Sequence, residues 1–279
     1  MQQVLTMNHS ITTSKPFSLS ATRCLHWSGR AWFTVAATGQ VAFIAFIALF
    51  YGVRIFGGDF AGWNDKPLID GYKEGDAAGN AMFAAHVLFA ALMTLTGLLQ
   101  LLPSVRNRFP ALHRYSGRTF VVLACLLAAG GLWLTWVRGT MLALIGGLAI
   151  TLNAVLIFAF AALAVRYAMR REIYQHQRWA MRLFLVANGV WFMRIAMMAW
   201  MIMAQGRVGM NNTMSGPVDI VIAFGCYLIP LGLYELYWRT KEGCSEALKV
   251  SVSALMLCAT AITALGVFGT TAFMWLPHL

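Results

Sequence analysis

The chain has 279 residues, of which 59% are hydrophobic and only 11% charged, with a mean hydropathy of +0.67. A water-facing domain is about a quarter charged, so too few polar residues remain to coat one, and the chain is far too apolar for disorder. Composition therefore excludes a soluble globular enzyme and leaves an all-α polytopic membrane bundle, read as one integral membrane domain over residues 1–279. The net charge of +11 has no companion nucleic-acid motif, and its placement along the chain carries the information.

In chain order, residues 1–30 read as a cytoplasmic N-terminal segment. The first apolar run is too long for a signal peptide, and no small-residue cleavage site follows it. Seven runs then reach the ~20 residues needed to cross a bilayer. They fall at about 31–53, 81–103, 118–138, 141–165, 180–204, 217–238 and 250–276. The first two spans flank a loop, Gly57–Asn80, that holds the main acidic cluster: Asp59, Asp65, Asp70, Glu74 and Asp76. Only Val137–Thr140 separates spans three and four, so these are antiparallel neighbours. Pro230 predicts a kink in span six, and Pro277 ends the last span. Spans two to five are expected to form a four-helix core, flanked by the others.

Basic residues are distributed unevenly. Fifteen Lys and Arg fall in the N-terminal segment and the 2–3, 4–5 and 6–7 loops, against five on the other side and Arg194 within a span. Positive charge stays on the cytoplasmic face. The expected topology is a multi-pass protein of the bacterial inner membrane, N-terminus in the cytoplasm and C-terminus outside. None of the five cysteines has metal-type spacing, and structural disulfides are not expected.

Within span two, His86, Met93, Gly97 and Gln100 share one helix face, which should look into protein or a polar cavity. Span five carries Arg194. An arginine at that depth costs about 3 kcal/mol unless solvated or paired, which makes it a functional candidate. Its partner is open between backbone carbonyls, water, Asp219 and a bound anion. Asn153 and Asn188 are polar near the middle of spans four and five, where interhelical hydrogen bonds are the ordinary role. Met193, Met197 and Met201 form a row that packing explains, although thioethers also suit Cu(I).

Two basic loops resemble one another. His113 stands with Arg108, Arg114 and Arg118; His176 stands with Arg171, Arg178 and Arg182. Each group opens the span that follows it, at matching places in a suspected repeat of helix, basic loop and helix. Brought together, the loops would make one cytoplasmic site of His113, His176, Arg114, Arg118, Arg178 and Arg182. Clustered cations need an anion: a lipid phosphate, a soluble ligand or the propionates of a b-type haem held by the two imidazoles. A proton-handling histidine is the remaining alternative. No phosphate-binding loop, zinc-protease helix or nucleophile elbow occurs.

His86, Gly97 and Gln100, then Leu112-His113-Arg114-x-x-Gly117-Arg118, Gly131-Leu132, His176-x-Arg178-Trp179-x-x-Arg182 and Arg194 resemble the bacterial membrane proteins grouped as "domain of unknown function 2306", across roughly residues 81–240. That family name implies a membrane bundle and no activity. The chain more loosely resembles the two-haem transmembrane cytochromes b and ferric-reductase-like bundles. Span four has no histidine to pair with His86, so this resemblance implies at most one haem, on His113 and His176.

Three functions follow as expectations: a redox protein with one b-type haem at the cytoplasmic side, a transporter or binder using His86, Gln100, Asn153, Asn188 and Arg194, or a non-catalytic component holding anionic lipid. The topology has a direct test. An impermeant thiol reagent applied to intact cells should miss Cys24 and Cys244 and should label a cysteine placed at Asn64; the reverse pattern would overturn the orientation.

Overall fold

The computed structural model describes residues 20–65 and 71–279. His9, Lys15, Lys66 and Asp70 lie outside the described residues. In chain order the helices are α1 (Ala21–Gly57), α2 (Ala77–Leu101), the short α3 (Pro103–Arg108), α4 (Pro110–Trp136), α5 (Leu144–Met169), α6 (Ile173–Ala187), α7 (Gly189–Met203), α8 (Pro217–Gly243) and α9 (Glu246–His278). Six of them are long and apolar enough to cross a membrane, and α6 with α7 makes a seventh span bent by 56°. No strand occurs among the described residues. The protein is an all-α, multi-pass membrane bundle. Val155, Val221, Leu257 and Ile262 are exposed on the bundle's outside, where water would penalise them and lipid does not.

The helices pack through small residues. α2 lies along α4, α4 along α5, α5 along α6, and α1 along α9. A Cβ at Gly97 of α2 would stand 2.9 Å from the Phe120 ring of α4, and one at Gly39 of α1 would stand 2.8 Å from Trp191 of α7. Such close approach substitutes for the hydrophobic drive that lipid removes. The expected core of spans two to five describes the half of the bundle that holds the two basic loops, where Phe120, Leu183 and Phe184 are buried together. In the other half, span five leaves it: α7 packs on α9 and α8.

That departure has a local cause. Asn188 donates from Nδ2 to the Phe184 carbonyl at 2.8 Å, and its backbone N–H goes to the same oxygen at 3.3 Å. A side chain that competes for its own helix's carbonyl loosens the ladder, and Gly189 follows with no Cβ to restrain the bend. α8 is helical on both sides of Pro230, and the 56° bend of span five falls at Asn188.

At the other end of the bundle, one cation ties the first loop down. Arg138, with 3% of its side chain exposed, donates to Asp76 at 2.9 Å, to Asn80 at 2.8 Å and to the Gly71 carbonyl at 3.3 Å. Asp76 also caps α2 by accepting from the Gly79 N–H at 2.9 Å. That amide holds the Asp76 carboxyl below the usual carboxylate range, and Arg138 adds to the effect. A depressed pKa contributes stability that is present above the unfolded value and lost as pH falls through the folded one. Replacing Arg138 with Met should destabilise by roughly 1–3 kcal/mol, because the Gly71 and Asn80 oxygens lose their donor. Thermal melts in detergent should show this gap at neutral pH and see it narrow in acid. Equal melting temperatures at neutral pH would contradict the clamp.

Candidate functional site

Arg194 sits on α7, six residues past the bend. Its guanidinium lies 5.6 Å above the Phe43 ring of α1 and donates from Nη1 to the Val190 carbonyl at 3.1 Å. No ion pair among the described residues includes it. It interacts electrostatically with Tyr51 of α1 and His86 of α2. Asp219, weighed from sequence as its counter-ion, instead accepts from the Asn211 and Gly216 amides at 2.9 and 3.1 Å and so caps α8.

Two departures from α-helical winding converge on this residue. α1 runs through a π segment, Ile47–Gly52, which carries Tyr51; α9 runs through another, Thr270–Trp275. Thr270 donates to the Arg194 carbonyl at 3.3 Å, and Trp275 stacks on Phe46 of α1 at 5.6 Å. π segments cost hydrogen-bond geometry and occur mostly where function requires them. Above them, Tyr51, Phe83 and Trp63 form an aromatic layer, with ring centroids 5.9 and 5.8 Å apart.

His86 points from α2 onto paired glycines of α4. A Cβ at Gly130 would stand 3.3 Å from its Nδ1, and one at Gly131 would stand 3.6 Å from its Cε1. Gly130-Gly131 is therefore the recess that admits an imidazole. Both His86 and Arg194 are half-buried, so each keeps accessible surface while lying between helices.

The asparagines of the sequence reading meet at the break. The Asn153 Nδ2 lies 2.9 Å from where a Gly189 Cβ would stand. The Oδ1 atoms of Asn153 and Asn188 are both buried without a hydrogen-bond partner, so neither makes the expected interhelical bond through that oxygen. Gln100 is different. It donates to the His113 carbonyl at 2.9 Å and to Ser116 Oγ at 2.6 Å, and Gly117 makes room for it. The whole stripe from His86 to Gln100 is the face α2 turns to α4, and its Gln100 end is occupied by packing.

At the rim that holds the two basic loops, His113 and His176 lie near enough to interact electrostatically. His176 Nδ1 is 3.0 Å from the Ala164 carbonyl, and His113 Nδ1 is buried without a hydrogen-bond partner. The four arginines divide. Arg182 makes a two-pronged bond to Glu235 of α8 at 2.6 and 3.0 Å, and Arg178 reaches the same carboxylate at 3.7 Å. Arg182 also covers the Trp179 ring at 4.2 Å. Arg114 and Arg118 are exposed, the latter 6.0 Å from the Tyr115 ring. Sequence offered lipid, ligand or haem as the anion and passed over Glu235; the pairing spans 53 residues and no local pattern announces it.

Residues 83–238 match the model of a family described as a predicted membrane protein, DUF2306. No curated protein and no solved structure matches the chain. His86, Arg194 and both basic loops fall within the matched stretch, whereas Phe43, Tyr51 and Thr270, which complete the surroundings of Arg194, fall outside it.

Proposed function

The chain belongs to this DUF2306 family of predicted membrane proteins, and we propose that it is a membrane-embedded binder or carrier of a small carboxylate, held at Arg194 with His86 and Tyr51 beside it. The observation that carries this reading is the arginine itself. A cation within a membrane-spanning helix persists when something offsets its desolvation, and the described residues offer Arg194 one helix carbonyl and no carboxylate. A guanidinium has five donors in a fork that matches a carboxylate. Discontinuous helices are also where membrane carriers place their substrate sites, and Arg194 follows such a break. The Phe43 ring under the guanidinium and the aromatic layer of Tyr51, Phe83 and Trp63 suit the apolar part of the ligand.

A second feature supports a lipid partner at the other end. Arg106, Arg108, Arg114 and Arg118 are exposed beside exposed Phe109 and Tyr115. Basic and aromatic side chains mixed at a membrane rim suit anionic head groups. A haem on His113 and His176 has no such support. Two turns inward from the histidines the bundle is filled by Phe120 and Phe184, with ring centroids 6.3 Å apart against Gly97. That packing leaves no porphyrin-sized slot, and the residues present do not fit the group.

The carboxylate reading is tested by intrinsic fluorescence, since Trp191 lies one turn from Arg194. Purified protein is titrated with acetate, propionate, lactate and benzoate. At least one should give a saturable change, and Arg194→Gln should weaken it about tenfold to a hundredfold, the worth of charge-assisted hydrogen bonds. A wild-type protein unresponsive to all four, or a variant that binds equally well, would overturn the proposal.

A further inference from the structure

One buried polar side chain beside Arg194 has no role in the packing described so far. Gln40 of α1 is 1% exposed, and both its Oε1 and its Nε2 lack a hydrogen-bond partner. Asn153 and Asn188 each leave one oxygen unpaired; Gln40 leaves its whole amide unpaired. Native structures rarely tolerate this, because a buried unsatisfied amide forfeits its hydration without compensation.

Its position follows from the register of α1 against α7. The Trp191 indole N–H donates to the Gly39 carbonyl at 3.3 Å, and Arg194 lies over Phe43 at 5.6 Å. Two contacts at the same three- to four-residue spacing on both helices mean that the two run alongside one another there. Gln40 and Phe43 lie three residues apart on neighbouring parts of one face, a rise of about 4.5 Å. The amide is thus placed about one turn from the guanidinium's contact, toward the N-terminal end of α1.

Resting on the reading of Arg194 as a carboxylate site, we infer that Gln40 is a second recognition residue of that site and that the ligand is a short hydroxycarboxylate. A carboxamide offers an acceptor and two donors. A hydroxyl both donates and accepts, and so satisfies Oε1 and Nε2 in turn. A plain alkyl chain satisfies neither. An ammonium group satisfies only Oε1 and brings a second cation within a turn of Arg194. The hydroxyl belongs on the carbon next to the carboxylate or the one after it, which matches the one-turn separation. Binding requires the amide to turn toward the ligand, and the hydrogen bonds it then makes recover what its burial costs.

The test compares matched pairs on the purified full chain: propionate with lactate, and butyrate with 3-hydroxybutyrate. Apparent affinities come from intrinsic fluorescence for wild type, Gln40→Met, Gln40→Leu and Arg194→Gln. Wild type should prefer the hydroxylated member of at least one pair by about tenfold, the worth of one well-placed hydrogen bond to a buried group. Gln40→Met should bring that ratio to about one and leave propionate affinity within about threefold, since the carboxylate contact is untouched. Because the substitution also removes an unsatisfied amide from an apolar setting, ligand-free Gln40→Met should melt no lower than wild type. Gln40→Leu repeats the measurement with a different shape. A wild-type ratio near one, a ratio retained in both Gln40 variants, or a lower melting temperature in both would overturn the assignment. If Arg194→Gln abolishes binding while the Gln40 variants keep the ratio, only the role of Gln40 falls. If Arg194→Gln binds as wild type does, the carboxylate site falls with it.

Discussion

A guanidinium within a membrane-spanning bundle, with one backbone carbonyl and, among the described residues, no carboxylate to meet it, is the constraint around which this structure is arranged. Water would solvate such a group at no cost; lipid will not, and the charge must be screened by whatever the neighbouring helices bring. They bring aromatic faces, the Tyr51 hydroxyl and an imidazole. Each contribution needs an irregularity: a π segment in α1, another in α9, paired glycines in α4, and a 56° break below α7. Two π segments and one sharp bend are three separate departures from ideal helix geometry near a single side chain.

The end of the bundle that holds the two basic loops differs, because there two of the arginines are paired with a carboxylate. Glu235 takes both Arg182 and Arg178, and Arg182 lies on Trp179, so α6 and α8 are joined by a network with carboxylate, cation and ring all engaged. Gln100 joins α2 to α4 by the same logic, filling the space Gly117 leaves. The two sequence motifs that hold His113 and His176 thus owe much of their pattern to architecture. Leu112 to Gly117 forms the seat for Gln100, and His176 to Arg182 supplies a carbonyl contact, a ring and two cations for one acid. Arg114 and Arg118 are left over and exposed.

How much of this was legible in the sequence depended on range. Span number and helical class follow from apolar length, which is local, and the stripe His86, Met93, Gly97, Gln100 is a true helix face because its spacing is local too. The neighbour that face meets, α4, is not local, and so the contrast between a satisfied Gln100 and a half-buried His86 could not be read. Asn188 was noticed as a polar residue, yet its capture of the Phe184 carbonyl and the resulting bend depend on backbone geometry. Pro230 drew attention as the expected kink, and α8 is helical on both sides of it. Glu235 and Gln40 were passed over for one reason: a single polar residue in an apolar run carries no signal until its surroundings are known.

The proposed carboxylate site requires that a solute can reach Arg194. Substituted-cysteine labelling tests it most directly. In a background lacking the five native cysteines, Arg194→Cys is exposed in intact cells to a small charged methanethiosulfonate, with Ile195→Cys as a neighbour on another face of α7. The account predicts that position 194 reacts and that position 195, buried against α9, does not. A cysteine at 194 that stays unreactive while the exposed rim positions react would contradict it.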